Sequence, residues 1–268
     1  MKTEKLINKL KKGGITIKQF QKLTKGDEVL GELGWRERME LLKLQGLPLF
    51  LEKGLIYLSS AITPIEEAIF VVVDIEVTNS DLQKGELLEI GAVKLKGREV
   101  IGEFNSLVQV SLIPEFISKM TGITLSMVQD AQPVREVLEK FRLFLGDGIF
   151  LSHPLHFDYP FLNLQFQKAG LGKLLNRSLC TLKFAKKSYQ LERYGLSFLK
   201  ERLGLEGRPI HRGLEDARTT AHLFLKCLEK IPSEIGKVEE LIGYVHSTTV
   251  SKQVQKQLIE QSNSFGEG

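Results

Sequence analysis

Ile69-Phe70-Val71-Val72-Val73-Asp74-Ile75-Glu76 is a near-continuous apolar run that ends in two carboxylates. Apolar residues at successive positions point to a strand covered on both faces, as in the interior of a sheet. Side chains alternate along a strand, so Asp74 and Glu76, two apart, lie on the same face. Two acids at the end of a buried strand repel each other and are partly protonated unless positive charge sits between them. A divalent cation is the usual remedy, and hard oxygen ligands suit Mg2+ or Mn2+. A solvated pair at a strand end is the other reading, and this stretch alone does not decide between them.

On the C-terminal side of this run, residues 87–95 and 100–108 read as strands, with turns at Lys84-Gly85 and Lys96-Gly97. Residues 134–145 and 157–170 have helical spacing, with a short strand at 149–152 between them; Pro160 falls in the first turn of its helix, where the missing N–H does no harm. Further helices are expected over 182–189, 196–203 and 214–229. Three leading strands followed by strands that alternate with helices define a mixed α/β sheet. On the N-terminal side, 4–11, 17–23 and 35–44 read as helices. Residues 47–51 and 55–58, around Glu52-Lys53-Gly54, read as a β-hairpin. Three helices and a hairpin have a winged-helix outline, shared with simpler helical packing appendages. The segment 232–268 is polar, with helices expected over 235–245 and 250–262. The expected organisation is therefore a basic module at 1–65, an α/β domain at 66–231 and a helical C-terminal segment at 232–268.

Composition sets limits. Of 268 residues, 42% are hydrophobic and 26% charged, as in soluble globular proteins. No apolar run approaches the roughly 20 residues that span a bilayer, and Met1-Lys2-Thr3-Glu4-Lys5 does not open a secretory signal. Cys180 and Cys227 form no Cys-x-x-Cys pair, which argues against a disulfide framework or a structural zinc site. A cytoplasmic protein with reduced thiols is expected. The net charge of +4 is unevenly spread: residues 1–65 carry about +5 and the remainder about −1. A basic segment beside a near-neutral body fits contact with a polyanion, and equally a solvated lysine-rich surface.

Two further places carry acids. Ser152-His153-Pro154-Leu155-His156-Phe157-Asp158 leaves Asp158 in the first turn of a helix, and His211-Arg212-Gly213-Leu214-Glu215-Asp216-Ala217 sets a histidine five residues before an aspartate at another helix start. Asp216, Thr220 and Leu223 share one side of that helix, while Ala217, Ala221, Phe224 and Leu228 make an apolar side that can lie close on a sheet.

Together the three segments resemble the three motifs of the DEDDh branch of the DEDD exonuclease superfamily, over roughly residues 69–230. The most specific part is His211-x4-Asp216 and the helix that follows. Cys180-Thr181-Leu182, Tyr194-Gly195-Leu196 and Thr121-Gly122-Ile123-Thr124 also resemble connecting segments of that family. The resemblance implies a ribonuclease H-like fold and a 3′–5′ exonuclease that releases nucleoside 5′-monophosphates. It implies that Asp74, Glu76, Asp158 and Asp216 hold two divalent cations, Mg2+ or Mn2+, and that His211 is the general base. Two such ions about 3.5–4 Å apart can activate water and stabilise a leaving oxygen. An imidazole with a pKa near about 6.5 suits proton transfer at neutral pH. Substrate contacts are expected from Val77, Thr78, Ile123, His153 and Phe157. The first motif departs from the family's Asp-x-Glu-Thr-Thr-Gly, reading Asp74-Ile75-Glu76-Val77-Thr78-Asn79. It keeps both carboxylates, but Val77 removes a hydroxyl and Asn79 replaces a glycine. Pro154 stands where asparagine is usual.

Within the superfamily the nearest likeness is to the proofreading exonucleases of bacterial replicative polymerases and their stand-alone relatives. This implies single-stranded or frayed 3′ ends of DNA as substrate, and a polymerase catalytic subunit as a partner for the C-terminal segment. The rival readings are a 3′–5′ exoribonuclease with the same chemistry and a non-catalytic nucleic-acid-binding regulator.

Overall fold

The computed structural model describes residues 2–26, 30–206 and 211–247. The chain begins with helix α1 (Lys2–Leu10), the short strand β1 (Ile15–Thr16), α2 (Ile17–Thr24), α3 (Trp35–Leu44) and the hairpin β2 (Leu49–Glu52) and β3 (Leu55–Leu58). Thr16 caps α2 in a reciprocal pair with Gln19, its Oγ1 accepting from the Gln19 N–H at 3.2 Å. The strands form a three-stranded antiparallel sheet in the order β1-β3-β2. Leu6, Leu10, Ile15, Phe20, Met39, Leu42, Ile56 and Leu58 fill a core of their own beneath it. The three helices and the hairpin expected there are present, joined by a third strand, β1, too short to read from alternation.

A second sheet has five strands in the order β6-β5-β4-β7-β8. Its members are β4 (Ile69–Val77), β5 (Leu87–Lys96), β6 (Glu99–Leu107), β7 (Ile149–Ser152) and β8 (Ser178–Cys180). β4 pairs antiparallel with β5 and parallel with β7, and β8 continues the parallel half. Helices α4 (Glu115–Thr121), α5 (Leu125–Val128) and α6 (Val134–Leu145) lie between β6 and β7. They are followed by α7 (Leu155–Lys168), α8 (Thr181–Ser188), α9 (Leu196–Leu203), α10 (Gly213–Leu228) and α11 (Val238–His246). The mixed α/β sheet expected from the sequence is thus observed; β8, α4 and α5 were not foreseen.

β4 shows why its sequence is apolar throughout. Phe70 and Val72 face a core shared with Ala217, Ala221 and Phe224 of α10. Val71, Val73, Ile75 and Val77 face a second core with Leu138 and Phe141 of α6 and Phe161 of α7. Asp74 and Glu76 continue the α10 side by alternation.

The helix expected over 235–245 is observed as α11, and it packs into the domain core. Val238, Leu241, Ile242 and Val245 of α11 lie in the same core as Phe70 and Val72. On α11, Glu239 accepts from Arg177 Nε at 2.6 Å and Nη2 at 2.9 Å, accepts from the Ser60 hydroxyl at 2.8 Å, and pairs with Lys11 at 3.4 Å. It thereby ties the N-terminal module to the sheet. The helix expected over 250–262 lies outside the described residues.

The module sits where β4, β7 and β8 begin. Leu175, just before β8, donates its N–H to Gln45 O at 2.7 Å, and Pro48, Ser59 and Ser60 line a cleft with Ile69, Gly148 and Ile149.

Candidate active site

The acids gather at the opposite pole. Asp74 and Glu76 occupy the last part of β4, Asp158 the first turn of α7 and Asp216 the first turn of α10. α10 reaches β4 and β5 because two glycines meet. A Cβ on Gly91, the register partner of Asp74, would overlap the backbone of Gly213 and Leu214, and one on Gly213 would stand 2.9 Å from the Gly91 nitrogen. The helix start therefore lies directly on the sheet and presents Asp216 to the strand's acids.

A buried ion pair fixes that start. Glu89, fully buried and in register with Glu76, accepts from Arg212 Nη2 at 2.8 Å and Nε at 3.1 Å, and from the Gly213 N–H at 2.9 Å. His211 precedes this turn in the left-handed region, at φ 81°, an uncommon place for a residue with a Cβ. Its backbone N–H donates to Asp216 Oδ2 at 2.9 Å, and its side chain is exposed at the rim. The sequence reading missed Glu89 and Arg212. An acid inside the apolar run Leu87-Leu88-Glu89-Ile90 was the available signal, because a charge buried in a strand requires a partner.

Electrostatics follow from the crowding. Burial, and then the charges of Asp158, Asp216, Glu76 and Glu89, push the Asp74 carboxyl well above the usual carboxylate range. Glu76 is pushed up to about 8, first by burial and then by Asp216, Glu89 and Asp158, with Arg212 opposing. Asp158 is raised by burial, as is Asp216 against the opposing pull of His211. Arg212 is paired with Glu89 and only partly offsets the repulsion at Glu76. Carboxylate oxygens of Asp74, Glu76 and Asp216 lie within 4.8 Å of one another, and Asp216 Oδ1 is buried with no hydrogen-bond donor. An all-oxygen set with an orphaned buried oxygen fits a hard divalent cation. Asp158 lies outside that 4.8 Å group but near enough for its charge to act on Asp74 and Glu76.

Four of the expected substrate residues are placed differently. Val77 lies on the face of β4 opposite the acids, packed in the α6–α7 core. Ile123 is fully buried with Leu88, Val110, Ile117 and Val128. Thr78 is buried, its hydroxyl accepting from the Glu86 N–H at 2.9 Å. His153 is buried with both ring nitrogens engaged, Nδ1 with Thr181 Oγ1 at 3.0 Å and Nε2 with Tyr194 O at 2.8 Å. It braces β7 against the start of α8 and has no nitrogen to spare for a phosphate. Phe157, half-buried against Phe161, keeps some exposed surface. The exposed apolar side chains at this pole are instead Leu112, Phe116, Met120, Leu125 and Met127, on and around α4 and α5. These helices follow β6, whose last residue Leu107 is in register with Glu89.

Acids converging from a strand end and two helix starts, with only oxygen donors and an imidazole on the rim, define a hydrolase that works with divalent cations. The chain belongs to the exonuclease family: the RNase_T exonuclease model matches residues 71–224. DNA polymerase III subunit epsilon of Aquifex aeolicus is 38% identical over 169 residues, covering 62% of this chain and 84% of that protein. DNA polymerase III PolC-type of Thermotoga maritima is 38% identical over 187 residues, 66% of this chain; the chain spans only 14% of that longer protein. Among solved structures, exonuclease X in complex with 5′-overhanging duplex DNA shares the fold, with a TM-score of 0.51 and 20% identity. That match covers 66% of this chain and 99% of that one. The resemblance to DEDDh exonucleases read from the sequence therefore holds.

Proposed function

We propose that the chain removes nucleotides one at a time from single-stranded or frayed 3′ ends of DNA, in proofreading or repair. The observation that carries this reading is the convergence of Asp74, Glu76 and Asp216 within 4.8 Å, with Asp158 adjoining and His211 at the open edge. Asp74, Glu76, Asp158 and Asp216 would hold two divalent cations, Mg2+ or Mn2+, which when bound lower the pKa of water and stabilise charge on the leaving oxygen. Hydrolysis joins the water oxygen to the terminal phosphorus and breaks the bond to the 3′ oxygen, releasing a nucleoside 5′-monophosphate. The exposed imidazole of His211 takes the water's proton. The bond from the His211 N–H to Asp216 holds base and acid in one unit. The apolar shelf of Phe116, Met120, Leu125 and Met127, with Phe157, supports unstacked bases at this pole better than the buried Val77 and Ile123 do.

The similarity to a polymerase III subunit supports a polymerase partner. The apolar face of α11 is buried within this chain, so docking through the C-terminal segment would fall to residues 248–268, outside the described residues. The module at 1–65 and the exonuclease domain at 66–231 stand as the working division, with α11 joined to the latter. Among the described residues no helix is long and apolar enough to cross a membrane; a cytoplasmic location rests on the similarity to replication proteins.

The test is digestion of a 5′-labelled, 3′-mismatched primer beside its RNA counterpart, with wild type and Asp216→Ala in Mg2+ or Mn2+. The wild type is expected to produce a one-nucleotide ladder from the DNA, and the variant none. Equal digestion by both proteins overturns the site, and preference for the RNA overturns the substrate.

A further inference from the structure

The N-terminal module lies outside the matched exonuclease region and holds none of the site's acids, yet its surface is strongly patterned. On α1, Leu6 and Leu10 point into the module core, and Ile7, Asn8 and Lys11 line a cleft with Arg177, Ile242 and His246 of the exonuclease unit. The remaining side of the helix carries Lys5 and Lys9, continued by Lys12 in the turn after it, all exposed. The spacing i, i+4, i+7 places the three in one row. On α2, Phe20 and Thr24 are buried, and the opposite side carries Lys18, Lys22 and Lys25 at the same spacing, again exposed. The two helices pack on each other. Among the described residues none of these six lysines has an ion-pair partner, and Glu4 is the only acid on either helix. α3, by contrast, exposes Arg36, Glu37, Glu40 and Lys43, a face with no net charge, and the Gln45 carbonyl that ends it is bonded to Leu175 of the exonuclease unit.

Six like charges in two rows along α1 and α2 and the residues just after them, none with an ion-pair partner among the described residues, match a regularly spaced polyanion. We propose that α1 and α2 form a second nucleic-acid contact that grips the phosphodiester backbone of the substrate away from its 3′ end, without reading sequence. This contact rests on the nuclease reading only in naming the polymer. It is remote from the acids. β4 alone separates the module's pole from Glu76 by about 23 Å, at about 3.3 Å per residue from Ile69. A trinucleotide, with only two internucleotide steps, cannot reach both places, and a chain of a few tens of nucleotides can. The contact therefore acts on the affinity for long substrates and leaves the chemical step alone.

The experiment replaces Lys5, Lys9, Lys12, Lys18, Lys22 and Lys25 by Gln in the full chain, with circular dichroism and the melting temperature confirming the fold. Binding of a labelled 40-nucleotide strand and of a 3′-tailed duplex is followed by fluorescence anisotropy in EDTA across a salt series. Hydrolysis of the 40-mer and of a trinucleotide is followed in Mg2+. The expected result is at least tenfold weaker binding of one or both long probes at 150 mM salt. The slope of log K against log salt should be shallower by several units, at about 0.7–0.9 per lost phosphate contact. KM for the 40-mer should rise at unchanged kcat, and trinucleotide hydrolysis should stay within twofold of wild type. Unaltered affinity and salt slope for both long probes overturn the proposal. Absence of hydrolysis by the wild type would instead defeat the exonuclease reading, and the anisotropy comparison would still decide this one.

Discussion

At Glu89, charge inside a strand has become a positioning device. The carboxylate holds Arg212 and the Gly213 N–H, and through them the turn from which His211 and Asp216 extend. Glu89→Gln keeps the shape and one or two of the hydrogen bonds but removes the charge that retains Arg212. Supporting groups of this kind are worth about 10–100-fold in activity or metal affinity. The expected outcome is a loss of kcat in that range with KM for a short oligonucleotide little changed and a higher Mn2+ concentration at half-maximal activity. A purely structural role would lower the melting temperature without moving the Mn2+ midpoint, and that result would refute the assignment. The acids of the site were legible because three short segments together resemble the family's motifs; the spacing of Asp74 and Glu76 alone left a solvated pair open. The residues expected around the substrate were less so. Alternation already sets Val77 on the face opposite Asp74 and Glu76, but whether that face and Ile123 are covered depends on helices distant in the chain.

Among the elements, α10 is held by contact rather than by covalent proximity. Its first turn rests on β5 at Gly91, where a methyl group would meet the backbone of Gly213. Gly91→Ala forces helix and sheet apart at the point that unites Asp216 with Asp74. Overpacking commonly costs about 1–3 kcal/mol and occasionally more; a clash with backbone belongs at the upper end. The midpoint of urea unfolding should fall accordingly, and activity should fall further than the residual folded fraction explains. A variant as stable and as active as wild type would show that the helix start does not need this seat. Long periodic elements such as β4, α6 and α10 were readable from their patterns. β1 and β8, two and three residues long, were not: alternation needs more residues than they have, and their pairing is set by the strands beside them.

For the molecule as a whole, Glu239 decides how the two folded parts are joined. Burial raises its carboxyl, but the Arg177 guanidinium, the Ser60 hydroxyl and Lys11 outweigh this and hold it below the usual value. A carboxyl depressed in the folded state contributes stability above its unfolded pKa, near about 4.3, and that contribution is lost as pH falls through the folded value. Glu239→Gln leaves Arg177, only 13% exposed in its side chain, without a counter-charge. Breaking such a buried pair costs about 3–5 kcal/mol. The variant should unfold at lower temperature at pH 7, and the gap from wild type should close in the acid range below about pH 4. A gap that stays constant from pH 7 to pH 3 would show that this charge is not what joins the parts.

The acids hang from a core built on Phe70, Val72 and Phe224, the lysine rows from one built on Leu6, Leu10 and Phe20. Substitutions in one interior leave the other's packing untouched, so their effects should combine additively wherever they share no neighbour. Chemistry and grip can then drift at separate rates over generations, one lineage sharpening its hold on long polymers while the hydrolytic end stays as it was.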